Sequence, residues 1–209
     1  FVGNNFYQIK PFFVISLVMI EVSIKNMLGD YQYNPADIEI IASKFYPETI
    51  KKGAVFCERG KRINKVGILS KGLLLAYYEN YQDEIEVSRY FDTVVNGIVV
   101  DFDAFVNQKP CSETIKAIED SEMLCITRQN LYQLYKEVPA MNIIGRRLAE
   151  EGYVLAVRRI QALQTLDTEE RFRRLYLANP TLFNRISKKD MATFLKMNRN
   201  LITQYLKKV

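Results

Sequence analysis

Histidine is absent from the 209 residues, and cysteine occurs only three times. A chain without histidine cannot hold a His-ligated haem or most catalytic zinc sites. It also lacks a His general base and any Ser–His or Cys–His nucleophile pair. Cys57, Cys111 and Cys125 form no CxxC and no cluster in sequence. Neither a four-Cys zinc site nor an iron–sulfur cluster can therefore be built within one chain. No metal and no cofactor is expected, and a sparse, odd cysteine count suits a reducing, cytoplasmic setting. Long apolar runs are also lacking. The longest, from Pro11 to Ile20, is shorter than the roughly 20 residues that span a bilayer, and no A-x-A cleavage site follows it. Low-complexity tracts and short-period repeats are missing too.

Residues 1–29 stay open between an N-terminal helix packed on the body, a membrane or export segment, and a non-native extension. Phe1 opens the chain, and Met19 starts a stretch of ordinary helical character. Asn34-Pro35-Ala36-Asp37 then opens a short helix carrying Ile38, Ile41, Ala42 and Phe45, ending before Pro47. Between Thr49 and Arg128 the texture changes to short apolar or alternating runs: 54–57, 65–69, 73–78, 85–91, 94–100, 114–118 and 123–126. Turn signals such as Lys52-Gly53, Arg59-Gly60, Lys71-Gly72 and the stretch 80–84 separate them. Seven or so short strands at that spacing predict a β-sandwich or barrel, interrupted by a helical turn over 101–109.

Beyond Arg128 the period becomes helical. Leu131, Leu134 and Tyr135 make a short helix ending near Pro139, and residues 140–166 run unbroken for about seven turns. Met141, Leu148, Leu155 and Ala162 repeat every seven residues, with Ile144 and Val154 beside them. A stripe that narrow suits a two-helix seam between subunits, although packing along the chain's own barrel would use the same pattern. Gly145 and Gly152 either loosen this helix or permit close approach across the seam. Asp167 or Thr168 caps the next helix, which stops at Asn179-Pro180.

Residues 186–209 read as two short helices joined by a tight turn. Ser187 is placed to cap the first and Asn198 the second. Met191, Ala192 and Leu195 lie on the inner face of one, and Ile202, Tyr205 and Leu206 on that of the other. This is the apolar skeleton of a helix-turn-helix. It leaves Arg199, Asn200, Thr203, Gln204 and Lys207 outward, the side-chain types that match base edges in the major groove. Residues 185–209 hold seven basic side chains (Arg185, Lys188, Lys189, Lys196, Arg199, Lys207, Lys208) against one acid, Asp190. With a whole-chain charge of +5, residues 1–184 sum to −1. All of the net positive charge therefore lies in the tail, as a phosphate footprint requires. Lys196, in the turn, stands where glycine is usual. A left-handed residue with a side chain costs on the order of 1 kcal/mol there.

The order is α+β: an antiparallel β-roll, a long helix, a short helix and a helix-turn-helix. That order, and the residues within it, resemble the Crp–Fnr family of bacterial regulators over about residues 30–209. The resemblance rests on Gly53, Gly60 and Gly72, on Lys109-Pro110, and on the stretch 117–122 (Ala-Ile-Glu-Asp-Ser-Glu). It rests further on 147–151 (Arg-Leu-Ala-Glu-Glu), 167–172 (Asp-Thr-Glu-Glu-Arg-Phe) and 186–195. Together these pieces look most like the family branch common in Bacteroidetes.

The resemblance implies a cyclic nucleotide-binding-like β-roll (a double-stranded β-helix) over 30–137, a dimerisation helix over 138–166, and a DNA-binding domain over 167–209. It implies a regulator rather than an enzyme, acting as a homodimer on an inverted repeat with half-sites about one helical turn apart. RNA polymerase is then the further protein partner. Lys188, Lys189, Asn198, Arg199, Asn200, Thr203, Gln204 and Lys207 would face DNA. Met141, Ile144, Leu148, Gly152, Leu155 and Ala162 would form the dimer seam.

The effector pocket departs from the family pattern. Val100-Asp101 stands where the family has Gly-Glu, and Cys111-Ser112 where an Arg-Ser pair grips the cyclic phosphate. Cys111 cannot replace a guanidinium, and the adjoining Glu113 would repel a phosphate; losing such a contact costs several kcal/mol. Cyclic AMP is therefore not the expected effector, and an effector of another kind stays unidentified. Asn200 and Gln204 stand where the family presents Glu and Arg, and both favour adenine.

Two other classes compete. One is a small-molecule-binding β-roll whose helix-turn-helix no longer binds DNA. The other is a cupin-like enzyme, which the absence of histidine disfavours. Cys111 also invites a redox-sensor reading beside the plainer one of a buried inert thiol.

Overall fold

The computed structural model describes residues 34–79, 85–91 and 97–208. Segment 1–29, its apolar run and the turn expected at 80–84 lie outside the described residues. The first described helix, α1 (Pro35–Ser43), opens where Asn34 accepts a hydrogen bond from the Ala36 amide at 3.1 Å. Among the described residues, eight strands follow in two antiparallel sheets. They are β1 (Tyr46–Ile50), β2 (Val55–Cys57), β3 (Lys65–Lys71), β4 (Leu74–Glu79), β5 (Ile85–Phe91), β6 (Ile98–Val99), β7 (Thr114–Ala117) and β8 (Ser121–Thr127).

One sheet has the order β1-β8-β3-β6 and the other β2-β7-β4-β5. Their inner faces bury Phe56, Leu69, Leu74, Phe91, Val99, Ile115 and Met123 in the roll's interior. Strand β1 escaped the sequence because it contains Pro47, which reads as a helix stop. Proline lacks a backbone donor, so a strand holding it sits at a sheet edge, and β1 pairs only with β8 among the described residues. Gly72, at the β3–β4 turn, has φ +101°, and a Cβ there would meet the Ser121 Oγ at 2.2 Å. Only glycine fits both the backbone angle and the space.

Helix α2 (Phe102–Asn107) buries Ala104 in the roll's core, and α3 (Arg128–Glu137), capped by the Thr127 hydroxyl, packs Leu134 against Leu124 and Ile126 of β8. The long helix α4 spans Pro139–Thr165. Its first turns are not free for a partner. Met141 and Ile144 are buried against Ile41, Leu124, Ile126 and Leu134. Both were expected in the seam, and within this chain they cover its own apolar surface. A Cβ on Gly145 would meet the Tyr135 hydroxyl of α3 at 2.6 Å and its ring at 2.9 Å, so this glycine admits a neighbour from its own chain.

The chain ends in α5 (Thr168–Ala178), a short 3₁₀ turn (Pro180–Asn184), α6 (Lys188–Leu195) and α7 (Arg199–Tyr205). Of the two candidate caps for α5, Asp167 is the one used, accepting from the Glu170 amide at 2.8 Å. These C-terminal helices share one core with the outer face of the second sheet. Leu73, Leu75, Val87 and Tyr90 pack with Phe172, Leu182, Met191, Leu195, Ile202 and Tyr205.

Arg185 fastens the same joint, donating from Nε and Nη2 to the Glu119 carboxylate at 3.0 and 2.6 Å and to the Gly72 carbonyl at 2.9 Å. The Arg185 hydrogen bonds hold the Glu119 carboxyl below its usual 4.5. A carboxylate depressed in the fold stabilises above its unfolded pKa, and that stability is lost as pH falls through the folded value. Glu119→Gln should therefore lower Tm at neutral pH, and its melting curve should converge with that of the native chain in acid. A constant difference across a calorimetric pH series would show that the Arg185 contact does not depend on charge.

Candidate nucleic-acid interface and roll interior

Helices α6 and α7 form the predicted pair. Ser187 accepts from the Asp190 amide at 3.0 Å and Asn198 from the Asn200 amide at 2.8 Å. Met191, Ala192 and Leu195 are buried on α6, as are Ile202 and Tyr205 on α7. Lys196 takes the left-handed conformation, φ +52° and ψ +57°. Arg171 of α5 offsets that cost by donating to the carbonyls of Leu166, Leu195 and Lys196 at 2.6, 2.9 and 3.0 Å. The Lys196 ammonium itself pairs with Glu86 of β5.

The cations of the tail divide into two groups. Arg185 and Lys196 face the roll, and Lys208 pairs with Glu169 at 3.0 Å. Arg185 therefore does not belong to the phosphate-facing set in which its position in the sequence placed it. Lys188, Lys189, Arg199, Asn200, Gln204 and Lys207 are exposed. Thr203 is half-buried and accepts from Lys188 Nζ at 3.4 Å, while the Asn198 side chain is engaged in its cap. The outward row on α7 is thus Arg199, Asn200 and Gln204, with Lys207 in the turn that follows it. Beside it, a 460 Å³ cleft between α6 and β5 is lined by Glu86, Lys189, Thr193, Lys196 and Arg199.

In the roll, the structure brings together Val100, Asp101, Cys111, Ser112 and Glu113, but each is already engaged. Asp101 caps α2 by accepting from the Ala104 amide at 3.1 Å. Its other oxygen accepts from the Ser112 amide and hydroxyl at 3.0 and 3.3 Å. The Val100 carbonyl accepts from Arg89 Nη2 at 3.4 Å. Glu113, only 1% exposed, pairs with Arg89 and accepts from the Ser88 hydroxyl at 2.9 Å.

Arg89 belongs to this cluster, and sequence reading did not single it out. Although 37% of its side chain meets solvent, its Nε is buried without a hydrogen-bond partner, and desolvation lowers its pKa. Cys57 was missed in the same way: its Sγ lies 2.6 Å from that of Cys111. Cys57, Asp101 and Cys111 place three ligand-type atoms within 4.8 Å of one another. Nothing in the linear spacing could have shown either, because Arg89 lies 24 residues from Glu113, and Cys57 54 from Cys111.

On α4, Leu148 is partly buried, Ala162 is half-buried, and Gly152 and Leu155 are exposed. The most exposed apolar residues there are Tyr153 at 71% and Ile160 at 55%, with Val154 and Val157 between them. Tyr153, Val157 and Ile160 follow i, i+4, i+7 spacing and were legible as a helical stripe, but the heptad starting at Met141 drew attention away from them.

The family model for the cyclic nucleotide-binding domain matches residues 47–138. Among solved structures, the chain is similar to the c-di-GMP-responsive global regulator CLP of Xanthomonas campestris, at 18% identity and TM-score 0.60, covering 84% of this chain and 91% of that one. It is similar to FixK2 of Bradyrhizobium japonicum at 12% identity and TM-score 0.66, covering 78% and 83%. A protein from Eubacterium rectale assigned to the Crp/Fnr family of transcriptional regulators matches at 15% identity and TM-score 0.62, covering 88% and 86%. No curated protein matches the sequence. The fold of this chain is that of the solved Crp/Fnr regulators, and its roll is the part that matches the cyclic nucleotide-binding domain model.

Glu113→Ala removes the acid that compensates Arg89 inside the roll. Leaving a largely buried charge unpaired should cost about 3 kcal/mol, measured as a lower midpoint in urea at unchanged slope. Replacing both partners, as Arg89→Met with Glu113→Leu, should recover most of that loss. A double variant as unstable as the single would refute the pairing as the source of the effect.

Proposed function

We propose that this chain, with its Crp/Fnr fold, is a cytoplasmic, homodimeric transcription regulator that reads DNA through α7 and works with RNA polymerase. The observation that carries this reading is the division of α7. Its inner face is locked into the core shared with the second sheet, while Arg199, Asn200 and Gln204 stand outward, with Lys207 just beyond the helix end. Preorganised planar amides and a guanidinium on one helix face are what base-edge recognition needs, and Lys188 and Lys189 supply backbone contacts beside them. Asn200 and Gln204 make an A·T-rich half-site the expected target.

The partner for Tyr153, Val157 and Ile160 is the same stripe of a second copy, since a two-fold seam is self-complementary. Leu155 and Gly152 flank it. The seam lies in the C-terminal two-thirds of α4, beyond the turns that cover the chain's own roll.

Cyclic AMP does not serve as effector in this reading. Glu113 already neutralises the one cation that Arg89 brings into the roll, and both oxygens of Asp101 are engaged by protein donors. Calorimetry should accordingly find no low-micromolar site for cyclic AMP.

Fluorescence anisotropy on the chain's own upstream DNA, against a scrambled duplex, tests the main proposal. Preference for the native fragment should fall about tenfold or more with Asn200→Ala or Gln204→Ala. Lys189→Ala and Lys207→Ala should weaken both duplexes alike and reduce the log–log salt slope by about 1 each. Equal, weak affinity for both duplexes would instead favour the lapsed helix-turn-helix. Ile160→Glu should convert a dimer to a monomer in sedimentation, with the fold intact by circular dichroism.

A further inference from the structure

The Cys57 and Cys111 sulfurs lie 2.6 Å apart, far inside ordinary contact for two thiols and about 0.6 Å from the roughly 2.05 Å of a disulfide bond. Both cysteines are free and buried. Their backbones are fixed independently of the thiols. The Cys111 amide donates to the Lys61 carbonyl at 2.7 Å, and the Gly60 amide donates to the Cys111 carbonyl at 2.8 Å. Cys57 is held in register opposite Ile115 on the β2–β7 ladder. A cleft of 270 Å³ is lined by both Cys57 and Cys111, with Lys61, Arg62 and Lys65 at its walls. Small solutes therefore have a route to a pair that backbone hydrogen bonds have already aligned.

We propose that Cys57 and Cys111 form a reversible oxidation site, closing to a disulfide inside the roll when a hydroperoxide enters this cleft. Cys111 is the attacking residue, because the Cys57 S–H donates to its sulfur and so favours its thiolate over that of Cys57. The Cys111 thiolate attacks one peroxide oxygen, the O–O bond breaks, and the departing hydroxide takes a proton to become water. That leaves Cys111 as a sulfenic acid. Cys57 then loses its proton, its sulfur attacks the Cys111 sulfur, and the S–O bond breaks to release a second water. Two thiols and one hydrogen peroxide give one disulfide and two waters, with two electrons passing from sulfur to peroxide. A dithiol reductant reverses the bond by exchange. Burial raises both thiols, so closure is slow at neutral pH and accelerates about tenfold per pH unit as the thiolate fraction grows.

The same three side chains suit a metal less well. Two thiolates on a tetrahedral zinc, with Zn–S near 2.3 Å, stand roughly 3.8 Å apart. The sulfurs would have to separate by more than 1 Å, and Asp101 would have to give up its amide donors. Disulfide formation asks for the smaller movement. The site also stands apart from the DNA-reading proposal, and either can fail without the other.

The test uses the full-length, reduced chain, treated with a few equivalents of hydrogen peroxide across a pH series. Free thiols are counted in denaturant, and peptides are mapped by mass. The expected result is a fall from three thiols to one, a Cys57–Cys111 linked peptide, and recovery with dithiothreitol. Tm should rise by about 10 °C in the oxidised form, since the bond closes a loop of 54 residues. Cys57→Ser should stop at a Cys111 sulfenic acid trapped by dimedone, and Cys111→Ser should remove the reaction. Three thiols surviving the whole pH series, a link through Cys125, or one zinc bound per chain with both thiols protected would each overturn the proposal.

Discussion

Strand β5 has to satisfy two cores at once, and a bulge opposite the Ala76–Tyr77 step lets it do so. A regular strand would put Val87 and Arg89 on the same face. The register shift sets Arg89 opposite Ala76 and Val87 opposite Tyr77, leaving Ser88 as the extra residue. Val87 and Tyr90 thus face the C-terminal helices, while Arg89 and Phe91 turn into the roll. The displaced Ser88 bridges the Ala76 carbonyl and the Glu113 carboxylate. The roll's interior ion pair and the seat of the helix-turn-helix therefore hang on the same seven residues.

That arrangement gives the joint between roll and helix-turn-helix an electrostatic as well as an apolar component. Beyond the shared core, Glu86 holds Lys196, the Val87 amide donates to the Thr193 hydroxyl at 3.2 Å, and Arg185 grips Glu119. Arg159 adds the long helix, donating to the Phe194 carbonyl at 3.0 Å with its guanidinium 4.1 Å from that ring's centre. The left-handed Lys196 persists because its neighbours over-determine it. Arg171 ties down the carbonyls of the turn, and Glu86 captures the side chain that a glycine would not have supplied. A residue that looked like a defect in the motif is, in the folded chain, a point of attachment.

The interior of the roll shows the same economy of partners. Buried carboxylates are tolerated only when their lone pairs are engaged. Asp101 meets that demand with the Ala104 and Ser112 amides, and Glu113 meets it with Arg89 and Ser88. A roll that satisfies its own polar groups in this way leaves little unpaired chemistry for a phosphate-bearing ligand.

The local features were legible in the sequence because short-range physics fixes them. The caps at Ser187, Asn198 and Asn34 need only an oxygen within three residues. The buried faces of α6 and α7 follow from 3.6-residue periodicity, and most strands announce themselves by alternation between turns. Strand β1 was hidden because edge position, a tertiary property, is what makes Pro47 acceptable there. The heptad from Met141 was visible, but whether its first turns face a partner or the chain's own roll depends on which apolar surface the fold leaves uncovered. Arg185 and Lys196 read as phosphate-facing cations until the roll placed Glu119 and Glu86 against them. The pairings of Arg89 with Glu113 and of Cys57 with Cys111 join strands far apart in the chain. Sequence alone determined the helices, most of the strands and the charge of the tail, since each depends on neighbours a few residues away. Only the tertiary structure decided which charges face solvent and which thiols meet, because both follow from how elements far apart in the chain are brought into register.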